Sequence, residues 1–141
     1  MLDSYTQIGR DPNATTIRAS FAATQGWEEQ YRLLIQLGKQ LPPLPVEWQT
    51  EDHRLHGCES HTWLLAEERG GLWHFACDSD ARIVRGLIVI VLAALNRQSS
   101  AAIRSFDMAG YLADLGLDKH LSPSRSNGLN AIIQAIRERV A

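Results

Sequence analysis

Residues 62–96 read TWLLAEERGGLWHFACDSDARIVRGLIVIVLAALN, and the fold is decided in this stretch. Two runs of aromatic and aliphatic side chains, 62–67 and 72–77, flank Arg69-Gly70-Gly71. Strand-forming residues on either side of a glycine turn predict a β-hairpin. Asp78, Ser79 and Asp80 follow, with oxygens suited to a helix start and charge suited to the positive end of a helix dipole. The helix predicted over 81–96 contains an almost unbroken apolar run, 86–95, between Arg85 and Arg97. These 10 residues fall well short of the roughly 20 needed to cross a hydrocarbon core, so the run reads as the central buried helix of a domain.

Outward from this centre the pattern is helical. Residues 1–16 are polar, carry the turn pair Asp11-Pro12 and have no sustained apolar period, which predicts a flexible lead-in to a domain spanning 17–141. A short helix is compatible with 17–24. A clearer one covers 27–40, where Trp27, Tyr31, Leu34, Leu37 and Leu41 recur every three or four residues and are expected to face the core. Pro42, Pro43 and Pro45 end it, because proline lacks the amide donor and clashes with the preceding turn. An extended segment around Leu55, before Gly57, predicts one further strand. Helices are expected over 100–106 and 108–115, the second capped by Asp107 and stopped by Gly116. Ser122-Pro123 opens a last helix with the apolar stripe Leu129, Ile132, Ile133, Ile136 and Val140. Strands and helices are segregated, so the predicted class is α+β: a small antiparallel sheet containing a hairpin, packed against helices from both ends of the chain.

With 141 residues the chain is too short for most self-contained barrel or dinucleotide-binding enzymes. Fourteen basic and 16 acidic residues give a net charge of -2, so no global field attracts nucleic acid or a membrane surface, and neither is an expected partner. Two cysteines, Cys58 and Cys77, are too few for a secreted disulfide framework. The first 10 residues hold no apolar signal core, so a cytoplasmic location is expected, where thiols stay reduced.

The segment His56-Gly57-Cys58-Glu59-Ser60-His61 places a thiol after a glycine between two extended runs. A nucleophile or sulfur carrier is one reading, and a small buried hydrophobe is the other. A free thiol with a pKa of about 8.5 is only a few per cent thiolate at neutral pH, so reactivity requires cationic or donor-rich surroundings. His56, His61 and the distant Arg125 are candidate contributors, and Glu59 opposes them. Arg125 itself breaks a local rule, since the first turn of a helix favours an acid. A metal reading arises from spacing: two residues separate Cys58 from His61 and His74 from Cys77, and thiolate and imidazole are natural zinc ligands. Strand alternation sends His74 and Cys77 to opposite faces, so a four-ligand site requires a bulge or a strand end. Trp63 and Trp73 read as cross-strand packing.

Three separated blocks carry a family resemblance: Gly57-Cys58-Glu59-Ser60-His61-Thr62-Trp63, residues 78–87 and residues 121–129. They resemble the SufE family. Trp27-Glu28-Glu29-Gln30-Tyr31-Arg32 and Leu37-Gly38-Lys39-Gln40-Leu41-Pro42 resemble its CsdE branch, and the similarity runs from about Ile17 to the C-terminus. The resemblance implies an α+β domain that accepts sulfur from a cysteine desulfurase of the SufS or CsdA type, stimulates it, and passes sulfur to a scaffold or sulfurtransferase for iron-sulfur cluster assembly or another pathway. On this chain it implies Cys58 as persulfide acceptor and Arg125 as the supporting arginine beside the loop. Asp80, Gly57, Glu59, Ser60 and His61 become partner-binding residues, and Trp63 a structural aromatic. No resident cofactor, metal or stand-alone activity is implied: the protein carries only a transient cysteine persulfide, and pyridoxal phosphate belongs to the partner. Cys77 departs from the family pattern, which usually has glycine there, and stays open between strand packing, a resolving thiol and a ligand. The alternative function is a structural zinc-binding or adaptor module using Cys58, His61, His74 and Cys77.

Overall fold

Gly70 and Gly71 both adopt positive φ, 59° and 80°, a combination that costs little only in glycine. They join β1 (Thr62–Arg69) to β2 (Leu72–Ser79) in an antiparallel pair registered from Thr62↔Ser79 to Arg69↔Leu72. The computed structural model describes residues 5, 7–57 and 60–141. Within these, seven α-helices surround the hairpin: α1 (Ala14–Ala22), α2 (Trp27–Gln40), α3 (Arg82–Leu95), α4 (Ser100–Ser105), α5 (Met108–Asp114), α6 (Leu117–His120) and α7 (Pro123–Val140). The α+β expectation holds: α3 and α7 lie against the hairpin, and α1 and α2 join the assembly by packing on α3. No described helix is long and apolar enough to cross a membrane.

Both faces of the hairpin are covered. Leu64, Phe75 and Cys77 enter the main core, whereas Leu65 and Ala76 join Tyr5, Leu44, Trp48 and Trp63 in a second cluster. Trp63 and Trp73 consequently join different clusters instead of packing across the strands. Trp73 stacks on Phe75 at 6.0 Å and donates through Nε1 to Ser100 Oγ. The strand expected before Gly57 is reduced to a single bridge, Arg54↔Trp63, because two 3-10 turns, Val46–Trp48 and Glu51–His53, consume the segment after the prolines.

Residues expected to form a lead-in supply the core with Tyr5 and Ile8, and α1 begins at Ala14. Buried Asn96 holds this stretch by donating from Nδ2 to the carbonyls of Tyr5 and Ile8, while its Oδ1 accepts from Phe75 N. Asp107 and Ser122 cap α5 and α7 as the sequence predicts, and Gly116 is left-handed at φ 75°. The short α6 behind it has no counterpart in the sequence pattern. The stripe Leu129, Ile132, Ile133, Ile136 and Val140 is buried throughout.

Twelve of the 14 residues of α3 are buried, and α2 is its principal neighbour. Glycines permit their crossing. A Cβ on Gly86 would lie 2.1 Å from the carbonyl oxygen of Leu34, and one on Gly38 would lie 3.0 Å from the backbone of Arg82 and Gly86. The helix expected to be capped by Asp78, Ser79 and Asp80 instead has Ala81 as its N-cap and starts at Arg82 without a side-chain cap bond. Those oxygens are engaged elsewhere: Asp78 with Leu44 N, Ser79 N and Arg85, Asp80 with His61 N, and Ser79 Oγ with Ala81 N.

Gly86→Ala is expected to destabilise the protein by about 2 kcal/mol or more, since helix backbones must separate to admit the methyl group; urea unfolding checks this. A second expectation concerns Tyr111, fully buried with its hydroxyl donating to Ile90 O at 2.9 Å. Burial raises its pKa far above the usual phenol value, against the lowering influence of Arg18, whose guanidinium lies 5.0 Å from the ring centroid. The folded pKa exceeds the unfolded one, so this contribution is complete below about pH 10 and is lost as pH rises towards the folded value. Tyr111→Phe should lower stability at neutral pH by about 1 kcal/mol and flatten its fall above about pH 10, measured by urea midpoints across the alkaline range.

Candidate functional site

The connection over residues 56–61 is fastened at both ends. Leu55 N donates to Thr62 O at 2.8 Å, closing its base. At the other end Asp80 N donates to His61 O, and His61 N returns a bond to Asp80 Oδ1, each at 3.1 Å. These bonds continue the hairpin pairing one step past Thr62↔Ser79. His61 Nδ1 lies 3.8 Å from Asp80 Oδ2, and both side chains are largely exposed. Gly57 has φ 93° with open space where a side chain would project, and neighbouring His56 approaches Glu51 at 3.5 Å. Cys58 and Glu59 lie outside the described residues.

Beside this loop opens a cleft of about 460 Å³. Ser60 contributes from the loop, Tyr31 from α2, Arg82 from the first turn of α3, and Ser124 and Arg125 from the first turn of α7. The Arg125 guanidinium sits 5.0 Å from the Tyr31 ring centroid, a cation-π contact that holds it against the wall. Neither helix has an acid in its first turn, and no carboxylate occurs among the described lining residues. Two helix N-termini and two arginines therefore give the cleft a positive potential, each helix end stabilising a nearby anion by about 0.3–1 kcal/mol. A thiolate or persulfide anion is the kind of group that such surroundings favour.

The structure thus brings Arg125 and Ser60 to one cavity, with the arginine that breaks the dipole rule set against Tyr31. Arg82 breaks the same rule on α3 and is missed by the sequence reading; a basic residue in an uncapped first turn was the available signal. The described residues of the metal alternative, His61, His74 and Cys77, are not gathered in this way, and Cys58 lies outside the described residues. Cys77 is fully buried in the main core opposite Leu64. His74 pairs with Glu67 further along the hairpin, about 20 Å along the strand from His61 at 3.3 Å per residue. Among the described residues no group of three or more His, Cys, Asp or Glu side chains is arranged to hold a metal ion.

The family described as SufE, the Fe-S metabolism associated domain, matches residues 15–140. The chain belongs to the SufE family. This SufE-family protein is 42% identical over 130 residues to the sulfur acceptor protein CsdE of Escherichia coli (strain K12), an alignment covering 92% of this chain and 88% of that one. Its fold is similar to the solution structure of a hypothetical protein from Thermus thermophilus, with a TM-score of 0.72, 21% identity and coverage of 92% and 93% of the two chains. The structural likeness speaks to the fold alone, and family membership of the SufE-family chain rests on the sequence match.

The fastening at Asp80 yields a local prediction. Asp80→Ala removes one acceptor from an exposed turn, so global stability should fall by less than about 1 kcal/mol. Hydrogen exchange at the His61 amide should accelerate strongly, while the amides of β1 beyond Leu64 keep their protection.

Proposed function

We propose that this protein takes persulfide sulfur from a cysteine desulfurase onto Cys58, stimulates that enzyme by removing its product, and hands the sulfur to iron-sulfur cluster assembly or another sulfur pathway. The observation that carries the proposal is the cleft. Ser60 of the cysteine loop and the first turns of α3 and α7 meet there around Arg82 and Arg125, with no carboxylate among the described lining residues. The family match and the sulfur acceptor named among its relatives support the same reading.

The chemistry is a thiol exchange. Cys58 thiolate attacks the outer sulfur of the donor's cysteine persulfide; a new sulfur-sulfur bond forms, the old one breaks, and the donor cysteine leaves as thiolate. No external oxidant or reductant is consumed. The carbon-sulfur cleavage that charges the donor belongs to the desulfurase and its pyridoxal phosphate. Arg125, braced on Tyr31, and the two helix ends favour the anionic forms that start and end the step. Gly57, Glu59, Ser60, His61 and Asp80 form the partner-facing loop and its fastening. The partner is a desulfurase of the CsdA or SufS type, and exchange in a reducing cytoplasm then passes the outer sulfur to a scaffold or sulfurtransferase.

Incubation with a CsdA-type desulfurase and cysteine, followed by intact-mass measurement with and without reductant, tests this. Wild-type protein should gain reducible sulfur, and Cys58→Ser should gain none while retaining the wild-type unfolding midpoint. An adduct undiminished in Cys58→Ser, or no adduct on wild type, overturns the proposal.

A further inference from the structure

The period of α2 predicts a core position for Trp27, yet its side chain is 56% exposed, and the helix packs on α3 through Leu34, Leu37 and Gly38. Among the described residues the other large exposed apolar side chains, Val46 and Leu72, sit in a 3-10 turn and at the hairpin reversal, where local chain geometry accounts for them. Trp27 occupies the first turn of a 14-residue helix, where no turn forces it outward. The exposed indole leaves apolar area in water that the fold has not covered.

Its neighbours give that exposure a direction. Trp27, Tyr31 and Ile35 recur at intervals of four along one edge of α2, and Tyr31 and Ile35 form part of the cleft wall. The Trp27 ring meets Tyr31 edge-on, with centroids 6.2 Å apart and planes at 89°, and Arg125 lies over the Tyr31 ring. A tryptophan, a tyrosine and an arginine thus form one contiguous unit, from the residue types that most often dominate binding energy at protein interfaces. The unit is already ordered in the protein alone, so little side-chain freedom remains to be lost on binding.

We propose that Trp27, braced by Tyr31 and Arg125, is the anchor by which the sulfur-donating cysteine desulfurase docks, inserting into an apolar pocket on that enzyme. The inference rests on the sulfur-acceptor reading above. Its geometric argument is continuity with the cleft. A donor that delivers sulfur to Cys58 meets a loop whose Ser60 lines the cleft. A standard interface buries about 800 Å² per partner, a patch about 16 Å in radius. Trp27 lies one turn, about 6 Å of helix rise, from Tyr31 on the cleft wall, well inside that patch. Arg82 and Arg125 line the cleft that this edge of α2 borders. The patch therefore sets an apolar anchor beside positive charge, which gives the arriving enzyme a preferred orientation.

The test compares wild type, Trp27→Ala and Trp27→Phe in calorimetric binding to a CsdA-type desulfurase without cysteine, and then in desulfurase stimulation with cysteine present. Trp27→Ala should weaken binding at least about tenfold and raise the half-stimulating concentration in proportion, with maximal stimulation and unfolding midpoint unchanged. Trp27→Phe should recover most of the affinity. Unchanged affinity in Trp27→Ala, or a lowered maximum at unchanged half-saturation, overturns the anchor. So does normal desulfurase binding combined with a defect only in sulfur discharge to a downstream scaffold. Because the calorimetric arm contains no sulfur chemistry, absence of a Cys58 adduct despite Trp27-dependent binding would strike the acceptor reading and leave the docking contact standing.

Discussion

The carboxylate of Asp78 and the guanidinium of Arg85 meet inside the protein, and much of the architecture is positioned by what else those groups hold. Asp78 also accepts from Leu44 N and Ser79 N; Arg85 also donates to the carbonyls of Gly38 and Leu41. The end of β2, the first turns of α3, the last turn of α2 and the proline-rich connection are thereby joined at one point. Ions buried in this way gain little over a well-packed apolar substitute, but leaving either one without its partner costs about 3–5 kcal/mol. The pair therefore acts chiefly as a register pin. Arg85 adjoins Gly86, so the charge pair and the closest approach of α2 and α3 are set together.

That pin explains how the hairpin serves two purposes. Both faces are covered by apolar clusters, and its outer edges are occupied as well. Leu55 N bonds Thr62 O beside β1, while Trp73 and Gln98 form a bridge beside β2. A two-stranded sheet is marginal alone and exposes unpaired backbone along both strands. Here the neighbouring segments satisfy part of each edge. What stays exposed is the open end, where Asp80 and His61 lead into the 56–61 connection.

Features set by neighbours in sequence were legible before the structure. The glycine reversal, the limits of α2, the caps of α5 and α7 and the apolar stripe of α7 depend on local stereochemistry and period. The errors share a different origin. Asp78 looks like a helix cap until Arg85 and Leu44 compete for its oxygens, and Trp27 fits the core period of α2 although the core ends one turn short of it. Leu55 is extended, yet it makes a single backbone contact in place of a strand. At the site, the loop motif and the misplaced charge of Arg125 could be read directly. The cleft could not, because residues 31, 60, 82 and 125 meet only after three helices and the hairpin have packed. Arg82 shows the cost: it carries the same local anomaly as Arg125, and nothing nearby in sequence said what it faced.

The double fastening of the 56–61 connection also fixes a length scale. Leu55 is held to Thr62 and His61 to Asp80 by backbone bonds, so each end of the connection sits one strand spacing, roughly 4.8 Å, from its neighbour. Both ends therefore move with the hairpin, and neither can shift by more than a fraction of that spacing before one of these bonds opens.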